Sequence, residues 1–327
     1  MIRMPIYKFY RSLLSSQNQS LYDILCFGLE AQNSSIKLPY GDRIILREVY
    51  QAVLYDNPQL FYVNGLNIRR KLFSANVIVN PVYTYDKDSA DNYLGKLETT
   101  INKIVSYSKG FCDYDKVKLV HDLFCNKIVY NSDNPNAHNI IGVLLEKSAV
   151  CDGISKAAKL LFDSLKIKSC IVRGKSFRAG NSDENHAWNK VNIDGFWYNL
   201  DITYDIECSK CGYIRYDYFN VTDDEISKES AQSQYNYPQC TSNKESFYYK
   251  NNLCINSKEE FQKLLLTALK KCDNQLTVKW TNNHTVITEK QIQLWIEETL
   301  SFAPHTTKYE LFFNKSTNIF TMVTSIE

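Results

Sequence analysis

The stretch AVCDGISKAAKLLFDSL, residues 149–165, decides the fold of this chain. From Asp152 onward its apolar residues recur with the period of a helix that buries one face. These residues are Ile154, Ala157, Ala158, Leu161 and Leu165. Cys151 therefore lies at the start of a predicted helix, where unpaired N–H groups and the helix dipole favour a thiolate. A free cysteine is also among the most buried residue types, so this position alone leaves a structural role open.

A β-hairpin is predicted downstream of this helix. The segments SCIVRG, HAWNKVNI and WYNLDIT are strand-like, and the last two flank Asp194-Gly195, a dipeptide typical of tight hairpins. His186 begins one strand and Asp201 ends the other, so antiparallel pairing brings them within about two residues of each other. Considered on its own, His186 could be a surface loop histidine and Asp201 a carboxylate that caps the end of a strand. Together they supply the base and the orienting carboxylate that a catalytic cysteine needs.

The segments CDGISKAAKLLFDSL and NHAWNKVNIDGFWYNLDITYD resemble, in order and spacing, the core motifs of the transglutaminase-like superfamily. The likeness extends over most of residues 45–245 to bacterial proteins with this domain. It implies an α+β fold of the papain or transglutaminase type, with a catalytic helix packed on an antiparallel sheet. It also implies a triad in which Cys151 is the nucleophile, His186 the general base and then acid, and Asp201 the orienting carboxylate.

Three departures from the family pattern lie outside this triad. Tyr204 stands where tryptophan is usual, and Ile154 stands where many members have tyrosine. Glu229-Ser230 replaces the Asp-His pair of many members, which puts in doubt any contact made by that histidine.

An acyl-transfer site needs donors for the oxyanion of the tetrahedral intermediate. The backbone N–H of Cys151 is a natural donor because it points out of the helix start. Candidates for the second donor, or for substrate contact, are His138 and Asn139 just upstream and Trp188 in the His-Ala-Trp motif. For His138 and Asn139, plain loop capping is the competing interpretation.

Cys208 and Cys211 in ECSKCGYIRY have the spacing of half a zinc site. The chain has no second CxxC or HxxxH, although Cys240 and Cys254 could complete a site by distance. We interpret the pair as a reduced loop and expect no metal and no cofactor.

The rest of the chain predicts a mixed architecture. Helices are predicted within residues 1–65, strand or hairpin at 71–85, and helices at 89–107 and 114–129. His121 lies on the apolar face of the last of these, which favours a hydrogen-bonded core histidine over a catalytic one. From Cys254 onward, helices and strands alternate. We therefore predict a helical N-terminal region with a β-hairpin (1–110), a transglutaminase-like catalytic core (111–250) and a small α+β subdomain (251–327).

The composition is that of a globular protein. The 327 residues are 44% hydrophobic, and 38 basic against 36 acidic residues give a formal charge of +2. Such a balance, without long blocks of like charge, argues against nucleic acid or an anionic membrane as a partner. No apolar run approaches the roughly 18 residues of a membrane span, and the N-terminus lacks a signal-peptide pattern, so we expect a cytoplasmic protein. Its ten cysteines are expected to be reduced.

The predicted activity is thiol-dependent acyl chemistry on a peptide or protein amide. Resolution of the thioester by water gives a peptidase, amidase or deamidase, and resolution by a lysine amine gives crosslinking. We favour hydrolysis because no site for a second substrate is evident. The alternative from another class is a non-catalytic peptide-binding or scaffolding module on the same fold.

Overall fold

The computed structural model describes residues 6–70, 76–178, 184–282, 284–301 and 307–326. The helices are α1 (Phe9–Leu13), α2 (Ser16–Glu30), α3 (Arg43–Asp56), α4 (Lys87–Tyr107), α5 (Asp113–Lys127), α6 (Cys151–Ser164), α7 (Ile202–Cys208), α8 (Asp223–Ile226), α9 (Phe247–Lys250), α10 (Lys258–Lys270) and α11 (Glu289–Leu300). The strands are β1 (Ile36–Leu38), β2 (Val63–Arg70), β3 (Val77–Tyr83), β4 (Val129–Tyr130), β5 (Ser148–Ala149), β6 (Ser169–Ser176), β7 (Glu184–Ile193), β8 (Phe196–Leu200), β9 (Phe219–Val221), β10 (Ser230–Gln232), β11 (Cys254–Ile255), β12 (Gln275–Trp280), β13 (Thr307–Asn314) and β14 (Ile319–Ile326).

A five-stranded antiparallel sheet, in the order β10-β6-β7-β8-β9, forms the centre of the fold. The predicted hairpin joins β7 to β8 at Asp194 (φ 50°) and Gly195 (φ 87°). Both backbones are left-handed, as a type I′ turn requires, which explains why Asp-Gly occupies these positions. The α+β fold with a helix packed on an antiparallel sheet is confirmed, because α6 packs against β6 and β7.

The central sheet is buried on both faces. Val191 and Ile193 of β7 belong to a core shared with α4, α5 and α6. Val172 and Trp188 belong to a second core, shared with α1, α2 and α3. Because side chains alternate along a strand, neighbouring positions of β7 serve different cores.

The N-terminal region contains a three-stranded sheet, in the order β1-β3-β2, beside its helices. The sequence placed the β segment at 71–85, whereas β2 already begins at Val63. Its sequence, VNGLNIRR, lacks both a clear alternation and a high content of β-branched residues, so β2 carried no strand signal of its own. It is stabilised by pairing along β3, from Val63 opposite Tyr83 to Arg70 opposite Val77. Residues 71–75 of the predicted segment lie outside the described residues.

The C-terminal elements occur in the order that the sequence predicts. They form a sheet, β11-β12-β14-β13, covered by α10 and α11. Their apolar side chains, including Phe261, Val278 and Ile292, form a third core.

In the described ranges, no helix combines the length and the apolar character that a membrane crossing requires. The cysteines whose side chains the structure describes are all free thiols.

Candidate active site

Cys151 is the first residue of α6, and the extended backbone of Val150 leads into it. The first N–H groups of a helix have no partner within it, so the start of α6 offers donors beside the thiol. The loop before the helix packs closely on its first turn, and Val150 donates to the carbonyl of Ala137 (3.1 Å). A Cβ at Gly153 would lie 2.2 Å from that same carbonyl oxygen. Glycine is therefore required here to let the loop approach.

His186 lies between the Asp201 carboxylate and the Cys151 thiol. Its Nε2 is 2.6 Å from Asp201 Oδ2, and Cys151 lies close enough to help raise the pKa of the imidazole. Burial disfavours the charged imidazole, but the charge and hydrogen bond of Asp201, followed by those of Cys151, raise the pKa of His186 to about 10. The imidazole therefore holds its proton at neutral pH.

Asp201 is fixed by a helix that the sequence did not predict. The segment WYNLDIT was interpreted as strand throughout, whereas β8 ends at Leu200 and α7 begins at Ile202. Asp201 is the N-cap: its Oδ1 accepts from Tyr204 N (3.1 Å), while its own N–H donates to the carbonyl of Tyr218 (3.1 Å). The aspartate before this turn was itself an N-cap signal. One carboxylate oxygen thus holds the helix and the other faces His186.

Two aromatic rings pack near the imidazole of His186. The ring of Tyr204 stacks on it at 4.6 Å with an interplanar angle of 10°, and the ring of Trp188 lies 5.7 Å away. The Arg178 guanidinium lies 4.4 Å from the Tyr204 ring centre. Sequence reasoning missed Arg178, because no local pattern indicates that it packs on Tyr204.

Two of the departures from the family pattern contact each other. The Tyr204 hydroxyl hydrogen-bonds to Ser230 Oγ (3.0 Å) and to Ser176 Oγ (2.6 Å). The hydroxyl that distinguishes tyrosine from tryptophan is therefore satisfied by the serine that stands in place of histidine. Ile154, the third departure, is buried in the core beneath α6.

Tyr130 lies near Cys151, and sequence reasoning did not identify it. Burial, followed by interaction with Cys151, raises the pKa of Tyr130 above its ordinary value. β4 pairs in parallel with β5, which places Tyr130 beside Ala149. A two-residue parallel pairing has no signature in a single sequence.

The three candidates for the oxyanion or substrate site have different surroundings. The Trp188 indole N–H donates to Asn199 Oδ1 (3.0 Å) and is buried. Asn139 caps its own loop, donating to Asn136 Oδ1 (3.1 Å) and accepting from Ile141 N (2.9 Å). The His138 side chain is 72% exposed, with Nδ1 3.7 Å from Asp152 Oδ2.

A basic cluster surrounds Asp152, the residue after Cys151. Lys156 Nζ lies 2.7 Å from its Oδ2, and Arg173 lies 3.8 Å from its Oδ1. Burial opposes the charge on this carboxylate, but His138 and Lys156, with Arg173, lower the pKa of Asp152 to about 2. The cluster carries more positive than negative charge.

A cavity of about 450 Å³ adjoins this cluster. It is lined from segments 54–64, 84–85 and 135–139, together with Lys156. Its wall combines amide side chains such as Asn136 and Asn139 with the rings of Phe61 and Tyr85.

His121, predicted as a core histidine, is fully buried between Asp122 (3.0 Å) and Asp205 (3.1 Å), which confirms that interpretation.

The described histidine, cysteine, aspartate and glutamate side chains form no group of three that could hold a metal ion. Cys208 lies near Arg178 (3.8 Å), while the side chain of Cys211 lies outside what the structure describes.

Comparison with known proteins gives a family and a limited structural likeness. Residues 101–202 match the model of the transglutaminase-like superfamily, and no curated protein matches the sequence. A crystal structure of a TGase is 17% identical, with 52% of this chain and 50% of that chain covered and a TM-score of 0.29. A candidate cysteine protease from Cytophaga hutchinsonii is 17% identical, with 42% and 62% covered and a TM-score of 0.29. Menin, for which a binding site for the Mixed Lineage Leukemia protein is described, is 14% identical, with 67% and 48% covered and a TM-score of 0.28.

The chain spans about half to two thirds of the length of these structures, and the likeness to them is too low to assign a function. The family match is more specific, because it runs from α4 through the helix that bears Cys151 and on to Asp201. Over residues 101–202, which include Cys151, His186 and Asp201, the chain matches the transglutaminase-like superfamily.

Proposed function

We propose that this protein performs thiol-dependent acyl chemistry on peptide or protein amides. The observation that carries the proposal is the contact series Cys151, His186 and Asp201. His186 lies 2.6 Å from a fully buried carboxylate and close enough to Cys151 for the thiol to help raise its pKa. A nucleophile, a base and an orienting group in this relation are what acyl transfer through a thioester requires.

The chemistry follows from the positions of the protons. In the reacting state the thiol proton is already on His186, and the sulfur electron pair forms a bond to the amide carbon while the carbonyl π pair moves to oxygen. When the C–N bond breaks, its electron pair leaves with nitrogen, and His186 returns the proton to the departing amine. Asp201 keeps the imidazolium oriented through both steps. Water then attacks the thioester, with His186 again as base, and releases the acid and the thiol.

A peptide is the substrate class that the cavity beside Lys156 of α6 favours. Its wall combines polar side chains such as Asn64 and Lys156 with the rings of Phe61 and Tyr85, and such a mixture of polar and apolar surface suits a peptide. We favour water over an amine as the second substrate. Added amine separates the two outcomes, since a transglutaminase would incorporate it into the acyl product.

The test compares Cys151→Ala with Cys112→Ala. Cys112 is the control because it also lies at a helix start, as the N-cap of α5, and is exposed. We expect Cys151→Ala to abolish turnover of glutamine-containing proteins, peptide amides and p-nitrophenyl acetate, at a stability cost below about 1 kcal/mol. Cys112→Ala should leave turnover unchanged. At pH 6, iodoacetamide should alkylate Cys151 about tenfold faster than Cys112.

The alternative function is a peptide-binding or scaffolding module on the same fold. It predicts that none of these substrates gives a burst of product. It also predicts that Cys151→Ala keeps the same peptide binding and that both cysteines are alkylated at similar rates. Turnover that survives Cys151→Ala would refute the assignment of the nucleophile.

A further inference from the structure

His121 on α5 is a fully buried titratable group that the acyl chemistry does not use. Its Nδ1 lies 3.0 Å from Asp122 Oδ1, and its Nε2 lies 3.1 Å from Asp205 Oδ2. A histidine that donates to a carboxylate from each nitrogen is an imidazolium, because the neutral ring has one N–H. Burial opposes this charge, but Cys125, Asp122 and Asp205 raise the pKa of His121 well above 6.5. Since no substrate reaches a fully buried side chain, any effect of His121 passes through its contacts.

Asp205 belongs to a closed cycle of hydrogen bonds with Asp201 and Tyr218. The Asp201 N–H donates to the Tyr218 carbonyl (3.1 Å), and the Tyr218 N–H donates to the Asp205 carboxylate (3.0 Å to Oδ1). The Asp205 N–H donates back to the Asp201 carbonyl, one turn earlier in α7 (3.2 Å). All three residues are buried. The cycle therefore fixes the backbone of Asp201 and leaves free the carboxylate oxygen that faces His186.

His121 supports this cycle from outside through the side chain of Asp205. Both carboxylate oxygens of Asp205 accept hydrogen bonds, Oδ1 from the Tyr218 N–H and Oδ2 from His121. Burial raises the pKa of the Asp205 carboxyl, the hydrogen bond and charge of His121 oppose that rise, and Asp217 adds to it. A carboxylate accepts a hydrogen bond more strongly than a neutral acid does. His121 therefore favours the form of Asp205 that holds Tyr218 best.

We propose that His121 is a positioning residue for Asp201. It acts through Asp205 and the backbone of Tyr218. The contact that it maintains is the 2.6 Å pair of Asp201 Oδ2 and His186 Nε2. A displacement of Asp201 by about 1 Å would take this pair out of hydrogen-bond range. The expected effect on acylation rests on the proposed function, whereas the expected effect on the proton affinity of His186 does not.

The test uses two substitutions of similar size. His121→Gln can still donate toward Asp205 but carries no charge. Asp205→Asn has one acceptor oxygen where the carboxylate has two, so its amide N–H₂ meets another donor. Neither variant alters a side chain that touches Cys151 or His186 in the proposed mechanism.

The first measurement is the titration of the His186 side chain, followed by NMR with ¹⁵N-labelled histidine. The chain has five histidines, so His186→Gln identifies the signal of His186 by its loss. We expect the midpoint of His186 to fall from about 10 to about 9 or below in both variants, because Asp201 no longer holds the imidazolium as closely. The second measurement is the burst of p-nitrophenolate from p-nitrophenyl acetate, which should slow about 10-fold or more.

Lys279→Met is the control for lost stability. Lys279 forms a mostly buried ion pair with Glu225, but this pair joins β12 to α8 and lies outside the hydrogen-bond cycle. We expect this variant to unfold at lower urea concentration, with the His186 midpoint and the burst unchanged.

The outcomes separate the two proposals. An unchanged His186 midpoint in folded His121→Gln would make His121 a stabilising core residue only, and it would overturn this inference even if Asp205→Asn failed to fold. So would a lowered midpoint in Lys279→Met, since the shift would then follow any loss of stability. Absence of a Cys151-dependent burst in the native protein would instead reject the proposed function, while the titration would still decide whether His121 positions Asp201.

Discussion

At the scale of single residues, the charge state of His186 governs the site. Burial alone would lower the pKa of a histidine, because an imidazolium loses hydration. Here the Asp201 carboxylate, also buried, together with Cys151 more than offsets that loss. The stacked Tyr204 ring excludes water without competing for the ring nitrogens. His186 is therefore a protonated acid over a wide pH range.

This gives a prediction on pH. We expect kcat/KM to fall on the alkaline side near pH 10, where His186 loses its proton, given its pKa of about 10. In Asp201→Asn the carboxylate charge is lost, so the alkaline limb should move to lower pH, with a loss of activity of about 10²- to 10⁴-fold. The measurement is the pH profile of p-nitrophenyl acetate acylation. An alkaline limb at the same pH in both proteins would contradict this account of His186.

The same shift links His186 to stability. Its pKa is raised from 6.5 to about 10 in the folded protein, so folding favours the protonated form. The resulting stabilisation is fully present below about pH 6.5 and is lost as the pH rises toward 10. Urea unfolding at pH 6, 8 and 10 should therefore show a stability difference between native protein and His186→Gln that shrinks with rising pH. A stability difference that grows with pH would contradict the conclusion that folding favours protonated His186.

At the scale of secondary-structure elements, α6 is fixed by the loop packed on its first turn. Two helical glycines show what this contact requires. At Gly153 an added Cβ would meet the backbone oxygen of Ala137 at 2.2 Å, whereas at Gly95 in α4 it would meet nothing within 4 Å. Helix propensity favours alanine over glycine by about 1 kcal/mol at either site. Packing therefore decides whether alanine at position 153 raises or lowers the free energy of unfolding.

We predict opposite effects for the two glycine substitutions. Gly95→Ala should raise the free energy of unfolding by about 0.5–1 kcal/mol. Gly153→Ala should lower it by about 1–3 kcal/mol, because a backbone carbonyl cannot move aside as a flexible side chain can. Displacement of this loop should also slow acylation, since it leads into Cys151. Urea unfolding measures the effect on stability, and the acylation burst measures the effect on activity. If Gly153→Ala stabilised the protein, the loop that carries the Ala137 carbonyl would have to move away from the added Cβ.

At the scale of the whole molecule, a few polar contacts join the C-terminal elements to the central sheet. Asn314 on β13 donates to Asp217 (2.9 Å) and to the Tyr218 hydroxyl (3.2 Å). Tyr218 in turn accepts the backbone N–H of Asp201. Tyr218 thus links Asn314 of the C-terminal elements to Asp201 of the candidate active site. The division at 110 and 250 stays a prediction, although Leu97 of α4 already packs in the core beneath α6.

Lys279 on β12 and Glu225 on α8 form an ion pair across this junction, with side chains 7% and 19% exposed. We predict that Lys279→Met lowers the free energy of unfolding by about 2–4 kcal/mol, because it strands a mostly buried carboxylate. The control is Lys258→Met, whose pair with Glu298 lies within the C-terminal elements and is more exposed (34% and 49%). It should have a much smaller effect. If urea unfolding showed equal losses of unfolding free energy in the two variants, the ion pair at the junction would contribute no more than the exposed one.

The sequence by itself determined the features that depend on local patterns. The apolar period of α6 places Cys151 at a helix start, and Asp194-Gly195 supplies the left-handed turn that joins β7 to β8. Both follow from the preferences of neighbouring residues, which a single sequence displays.

The tertiary structure alone decided the contacts between distant segments. The pairing of β4 with β5 that places Tyr130 opposite Ala149, and the packing of Arg178 on Tyr204, join residues separated by loops and other elements. The strand β2 likewise forms only because β3 supplies its hydrogen bonds. Such contacts depend on the packing of whole elements against each other, and this packing leaves no periodic trace in the chain.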